Sequence, residues 1–314
     1  MKRILSILLA AALLLPAGCA PAAPAEEGEV RLSVVATTYP IYLLAREVIQ
    51  GVEGVEVERL NTGSVSCLHD YTLSVDDMKK LERADVVAVN GAGLEDFMSD
   101  ALASSDAAVI DCSEGVELLE NLSHDHAEGD EDHDHGHWDP NYWMDPRNAA
   151  EMAGNIARGL AQADPDHEGT YLSNLSRTGT LLTSWSGELE AQIKEGPEIT
   201  GLITFHDGFQ YFARAYDLPL LAAIEEEAGS EASAKEIVEI TRLVQEKDIP
   251  VIFTEVNGSD ATANAIARET GCAVAQLTML MDGPEDGTLY DDYYAGLKDN
   301  VAAIVNGFAG EELQ

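Results

Sequence analysis

The spacing of hydrophobic positions changes along this chain, and each change marks an element. Positions 32–36 form a short run of β-formers, and helical spacing follows through about Gln50. Positions 55–60 predict a second strand. Positions 74–83 predict a helix with Asp76 and Asp77 in its first turn, where the helix dipole favours acids. Positions 85–90 predict a third strand ending at Gly91, 95–103 a helix, and 107–111 a fourth strand. Strands that alternate with helices imply a parallel sheet.

The pattern then breaks. Residues 123–139 read SHDHAEGDEDHDHGHWD, a low-complexity run with no apolar period. Positions 148–162 predict one helix, Asp164-Pro165-Asp166 interrupts it, and a second helix runs to about Lys194. Such a helix would be roughly 43 Å long at 1.5 Å per residue. A second block repeats the first in outline. Strands are expected at 201–204, 218–222, 251–254 and 273–276. Helices are expected at 208–216, 233–247, 260–270 and 291–308, with Ser233 as an N-cap. There is an internal echo: TTYPIYLLAR (37–46) matches FHDGFQYFAR (205–214) in aromatic spacing and Ala-Arg ending, and ADVVAVNG (84–91) resembles PVIFTEVNG (250–258). Two related lobes joined by a helix make a cleft, a common place for a ligand.

The amino terminus sets the expected compartment. Lys2 and Arg3 precede an apolar run at 4–15 that is too short to span a bilayer, and small residues lead to Cys19. This is the layout of a signal peptide over residues 1–18. The junction resembles a lipobox that would lipidate Cys19, although Pro16 stands where Leu is usual; an ordinary cleaved signal is the alternative. Residues 19–30 read as a tether. The expected organisation is then an N-terminal α/β lobe at 31–147 that includes the His/acid loop 123–137, a helical linker at 148–195 and a C-terminal α/β lobe at 196–314. Loss of residues 1–18 removes two of the 18 basic residues and none of the 57 acidic ones, so the formal charge passes from −39 to −41. Such a chain repels phosphate backbones, which argues against nucleic acid as a partner. The charge suits a surface that concentrates cations, and equally one that is merely soluble. Besides Cys19 there are Cys67, Cys112 and Cys272, enough for one disulfide whose pairing the sequence leaves open.

Of the eight histidines, five lie in the low-complexity loop: His124, His126, His133, His135 and His137. Histidines among acids there point to an accessory metal collector, against a solvated linker as the plain alternative. His167 falls at a helix start and is expected to face solvent. His206 follows a strand and precedes a helix, the place where ligands gather in α/β sheets. His69 precedes the helix at 74, in what reads as the equivalent loop of the other lobe. Either alone fits a helix-start hydrogen bond, because no His-x-x-His or Cys-x-x-Cys spacing supports it; as one per lobe they form a pair. Asp291 and Asp292 open the last helix, as caps or as ligands. Glu255, at a strand end, reads as a carboxylate behind a ligand or as a structural acid.

The stretches VVATTYPIYLLAREV, LHDYTLSVDDMKKLERADVVAVNGAGLEDFM, DPNYWMDPRNA, LITFHDGFQYFARAY and YDDYYAGLKDN, in this order, resemble the zinc/manganese solute-binding lipoproteins of bacterial ABC importers, the TroA-like family. The resemblance covers nearly the whole mature chain. It implies two α/β lobes with mainly parallel sheets, joined by one long rigid helix, with a metal in the cleft between the lobes. By position, His69 matches the first family ligand, His206 the third and Asp291 the terminal carboxylate. The second ligand is normally the His of Asp-Pro-His, and here Asn141 occupies that position. Asn141 would ligate weakly, leave the place to water, or give way to His137 from the loop four residues upstream. Two imidazoles and a carboxylate suit Zn2+; Mn2+ prefers a more oxygen-rich shell. The loop resembles that of the zinc-specific branch. The implied role is capture of zinc outside the cytoplasm by a lipid-anchored monomer at the cell membrane, and delivery to an ABC permease and its ATPase.

Three other readings carry less. A manganese-specific binding protein shares the design. A metal-dependent hydrolase needs an open coordination position and a base beside bound water, yet the chain has no His-Glu-x-x-His helix and no nucleophile elbow. A surface adhesin or a binder of a larger chelate has no need of His69, His206 and Asp291 together. No enzymatic activity is expected.

Overall fold

The two expected blocks fold as two parallel sheets of one design. The computed structural model describes residues 30–60, 71–122, 137–224, 233–256 and 258–311. The signal segment, Cys19, nearly all of the tether, Cys67, His69, His124, His126, His133 and His135 lie outside the described residues.

In the N-lobe, β1 (Leu32–Ala36), β2 (Val55–Arg59), β3 (Val86–Val89) and β4 (Ala108–Asp111) form a sheet in the order β2-β1-β3-β4. Helix α1 (Tyr39–Val48) follows β1, α2 (Val75–Arg83) precedes β3, and α3 (Ser99–Ala103) precedes β4. The C-lobe repeats this. Its strands β5 (Leu202–Thr204), β6 (Leu220–Ala223), β7 (Val251–Glu255) and β8 (Ala273–Leu277) pair in the order β6-β5-β7-β8, with α6 (Gln210–Ala215), α7 (Ala234–Lys247) and α8 (Ala261–Thr270) between them. All described pairings within the sheets are parallel. The internal echo therefore marks topologically equivalent elements, since β1 corresponds to β5 and β3 to β7. One expectation is corrected by this match. His206 follows β5, so its counterpart loop follows β1, whereas position 69 lies between β2 and α2. The two histidines do not occupy equivalent loops.

Between the lobes run α4 (Pro146–Ala163) and α5 (Glu168–Glu195). Asp145 caps α4, its side chain accepting from Arg147 N. Pro165 then blocks a continuous helix. Asp164 fills the gap by accepting from the Tyr171 hydroxyl (2.9 Å) and contacting His167 Nδ1 (2.8 Å), so His167 is paired rather than simply solvated. At 28 residues α5 is about 42 Å long. Its buried stripe, Tyr171, Thr178, Leu182, Trp185, Leu189 and Ile193, keeps helical spacing.

Alternation along the strands decides the layers. Val34, Ala36, Val86 and Ala88 from the N-lobe, and Leu202, Val251 and Phe253 from the C-lobe, share one apolar cluster with α1, α4, α5 and the closing helix α9 (Ala295–Ala309). The opposite strand faces form two separate clusters, Val35, Val87 and Val89 under α2, and Ile203 and Ile252 under α7 and α8. The lobes are thus welded through one common core.

Two predicted helices begin differently. The helix expected at 95–103 becomes a 3-10 turn at Asp96–Met98 followed by α3, because Glu95 turns inward. The helix expected from 291 opens as a π turn, Leu289–Tyr294, before α9. Cys112 and Cys272 are both free, so they do not bridge each other, and burial raises the Cys112 thiol.

Candidate metal centre

The carboxyl ends of the two sheets meet at the seam between lobes. His206 stands two residues beyond the end of β5. Its loop is tied down when Thr204 Oγ1 donates to the His206 carbonyl (3.0 Å) and Phe205 N donates to the Phe253 carbonyl (2.8 Å). Phe205 and Phe209 are buried on either side. The imidazole is 20% exposed, and its Nδ1 lies 3.8 Å from Oε2 of Glu255 at the end of β7. Burial pushes the Glu255 carboxyl up to about 7. Glu255 thus stands beside one ring nitrogen beyond hydrogen-bond distance, the side from which a carboxylate orients a ligating imidazole when it closes to bonding distance. Beside Glu255 opens a cavity of about 230 Å3, lined also by Thr278, Met279, Met281 and Asp282.

Asn141 approaches from the segment that leads into α4. Asp139, buried, accepts from Asn141 N and Nδ2 with one oxygen (both 2.8 Å) and from Gln210 Nε2 of α6 with the other (3.0 Å). Asn141 Nδ2 also donates to the Asp207 carbonyl (3.3 Å), next to His206. Both amide hydrogens are thereby directed at oxygens, and the carbonyl Oδ1 is the atom this side chain has to offer. Burial raises the Asp139 carboxyl to about 7.

The N-lobe holds the same segment from the other side. Asn90 Nδ2 donates to the Pro140 carbonyl (3.0 Å), and the Tyr142 hydroxyl donates to the Asn90 carbonyl. Asn90 is itself fixed by Glu95, whose carboxylate accepts from Thr37 Oγ1 (2.5 Å), Asn90 N (2.7 Å) and Gly91 N (2.9 Å). The turn between them needs positive φ at Gly91 (75°), Ala92 (55°) and Gly93 (86°), and a Cβ at Gly91 would overlap the Asp111 carboxylate. Sequence reasoning missed Glu95 and Asp139 as anchors. Only their places beside Asn-Gly and before Pro-Asn hinted at them.

Asp291 is exposed. Its Oδ2 accepts from Thr288 Oγ1 (2.9 Å) while its own N donates to that hydroxyl (2.9 Å), a cap on the π turn. Its neighbour Asp292 is the one that reaches the Tyr39 hydroxyl of the N-lobe; burial first and Asp292 second hold that hydroxyl above its ordinary range. The structure brings His206, Glu255, Asp207 and Asn141 together. No cluster of three or more His, Cys, Asp and Glu side chains fit to hold an ion is found among the described residues. His137, the suggested substitute ligand, is exposed, lies 3.9 Å from Glu120 Oε1 and packs on Trp138. No described helix is long and apolar enough to cross a membrane.

The chain was compared with known proteins. It is 27% identical over 311 residues to the zinc-binding protein AdcA of Streptococcus pyogenes serotype M3, a match that covers 91% of this chain and 58% of AdcA, so the chain spans little more than half the length of that relative. It is 25% identical over 320 residues to the manganese ABC transporter substrate-binding lipoprotein scaA of Streptococcus gordonii, covering 98% of each. The crystal structure of ZnuA superposes with a TM-score of 0.74 at 26% identity, covering 88% of this chain and 98% of that one. The family model described as the periplasmic zinc-uptake complex component A, ZnuA, matches residues 34–307, most of the two-lobed body; the chain belongs to this family of metal-binding, ABC-transporter substrate-binding proteins.

Proposed function

We propose that this chain captures zinc outside the cytoplasm and delivers it to an ABC permease and its ATPase, acting as a monomer tethered to the membrane through a lipid on Cys19, with no enzymatic turnover. The observation that carries the reading is His206 at the carboxyl end of β5, backed by Glu255 and set against the loop of Asn141 where the lobes meet. His69, His206 and Asp291 hold the ion, and Asn141 Oδ1 or a water takes the fourth position. Neutral imidazole is required, so binding weakens as pH falls through the reference histidine value of about 6.5. The His/acid loop collects further ions weakly. Family membership, the relatives named for metal ABC transporters and the donor chemistry support this reading.

Manganese is the second reading. It is favoured by Asn141, which exchanges an imidazole for an oxygen donor, and relatives are named for either metal. Competition titration with zinc and manganese on the mature chain and on His206→Ala tests both. Zinc is expected to bind more tightly at one site, and His206→Ala to lose that site while keeping its melting behaviour. Full stoichiometry and affinity in His206→Ala, or affinity flat between neutral and mildly acidic pH, would reject histidine ligation at this position.

A further inference from the structure

Asp291 lies on the C-lobe, yet the segment leading to it is gripped from the N-lobe. Residues 282–287 run along the start of α1 and the end of β2. Arg59 donates to the Gly283 carbonyl (2.6 Å) and lies 3.6 Å from the Asp282 carboxylate. The Tyr39 hydroxyl donates to the Pro284 carbonyl (3.3 Å) and the Tyr42 hydroxyl to the Glu285 carbonyl (2.5 Å). Arg46 donates to two carbonyls, Glu285 (2.9 Å) and Gly287 (2.7 Å). The four donors brace one another, for the Arg59 guanidinium lies over the Tyr39 ring at 4.7 Å and that of Arg46 over the Tyr42 ring at 5.4 Å. Tyr39 and Tyr42 are almost fully buried. The fit is close: a Cβ at Gly283 or Gly287 would overlap Tyr39. At Thr288 the grip passes to the π turn, whose residues Asp291 and Asp292 both bond to Thr288.

We infer that Tyr39, Tyr42, Arg46 and Arg59 are positioning residues for Asp291, and that their hold on segment 282–287 sets how fast a captured ion leaves. The inference rests on the proposed role of Asp291 as a ligand. Its physical basis is the cost of ordering chain. A segment with glycines at 283 and 287 has many conformations, and fixing each residue costs about 1–2 kcal/mol. The N-lobe side chains meet that cost before the ion arrives, so the carboxylate is presented in place. Hydrogen bonds from cationic donors to carbonyls are stronger than neutral ones, and apart from the Arg59–Asp282 ion pair and the Tyr39–Asp292 contact the hold is on backbone, so most of it does not depend on the side chains of the segment. An ion bound to Asp291 leaves when that carboxylate swings away, and the swing requires the segment to come off α1.

The test is a double-mutant cycle on zinc release. The full mature protein is loaded with one zinc and mixed with excess chelator in a stopped-flow instrument. Arg46→Ala, which removes two bonds, is expected to speed release about tenfold, and Tyr42→Phe, which removes one, about threefold. Arg46→Lys should recover part of the loss. In an Asp291→Asn background both effects should shrink below about twofold, because the segment then no longer positions a ligand. Tyr42→Phe keeps the test open if Arg46→Ala does not fold. Equal acceleration in both backgrounds, or none in either, overturns the inference. A wild-type chain that binds neither zinc nor manganese overturns the underlying functional reading instead, and is seen before any variant is made.

Discussion

At residue scale the chemistry turns on how polar side chains are held where two strand ends meet. The exchange at Asn141 replaces an imidazole by an amide whose hydrogens are already directed at Asp139 and Asp207. Asn141→His is expected to tighten zinc binding in competition titration, Asn141→Ala to weaken it slightly, and His137→Ala to change little. If His137→Ala costs as much as His206→Ala, the loop supplies the fourth ligand. Glu95 gives a second prediction. Burial pushes its carboxyl up to about 7 from the ordinary 4.5, so the folded chain keeps a proton that the unfolded chain releases. Stability therefore falls as pH rises between those two values and is level above them. Melting temperatures at about pH 5 and about pH 8 should differ more for the wild type than for Glu95→Gln, which cannot ionise. Glu95→Gln should also cost about 1–3 kcal/mol, since one carboxylate oxygen becomes an NH2 group that meets the Gly91 N–H as donor against donor even when the amide oxygen keeps Thr37 and Asn90. Equal pH slopes would rule Glu95 out as their source.

At the scale of elements, boundaries follow local hydrogen bonding. Ser74 and Asp77 form a reciprocal cap on α2, and Tyr71 donates to the same Asp77 oxygen (2.5 Å), fixing the chain just after the segment that carries His69. The sequence pointed to this helix start through its first-turn acids Asp76 and Asp77, while the reciprocal bond to Ser74 emerged from the structure. The opening of α9 was not legible in the sequence, because a π turn depends on Thr288 rather than on apolar spacing. The His/acid loop shows no apolar period in its sequence, and its histidines are expected to hold ions more weakly than the cleft. Deleting residues 123–137 is expected to remove weak zinc sites in an equilibrium dialysis count and to spare the tight one. Loss of the tight site on deletion would show that the loop contributes to it.

At the scale of the molecule, one core decides the mechanics. Strand faces from both lobes share a single apolar cluster with α4, α5 and α9, so moving one lobe against the other would expose packed side chains such as Trp143 and Tyr293, both almost fully buried. Trp143 Nε1 donates to the Met279 carbonyl (2.9 Å) and the Tyr293 hydroxyl to the Trp143 carbonyl (2.6 Å), tying the lobes at the seam. Zinc binding should therefore leave the radius of gyration in X-ray scattering unchanged to about 1 Å, the scale of change in preorganised binding proteins. A contraction of several ångströms would show a hinge in place of this weld.

Periodicity by itself determined the two α/β blocks, the helical stretch between them and their internal repeat, because burial of one strand face or one helix stripe writes a local pattern. It also singled out His206, because a histidine after a strand and before a helix is a local feature. Tertiary structure decided what no local pattern records. It showed that β1 rather than β2 is the counterpart of β5, so that His69 and His206 are not equivalent. It placed Glu255 behind His206 across 49 residues of sequence. It set Asp139 against Asn141, set Asn90, itself held by Glu95, against the neighbouring Pro140 and Tyr142, and laid N-lobe aromatics on the segment before Asp291. Most of these join groups far apart along the chain, and such contacts arise only once the common core brings the strand ends together.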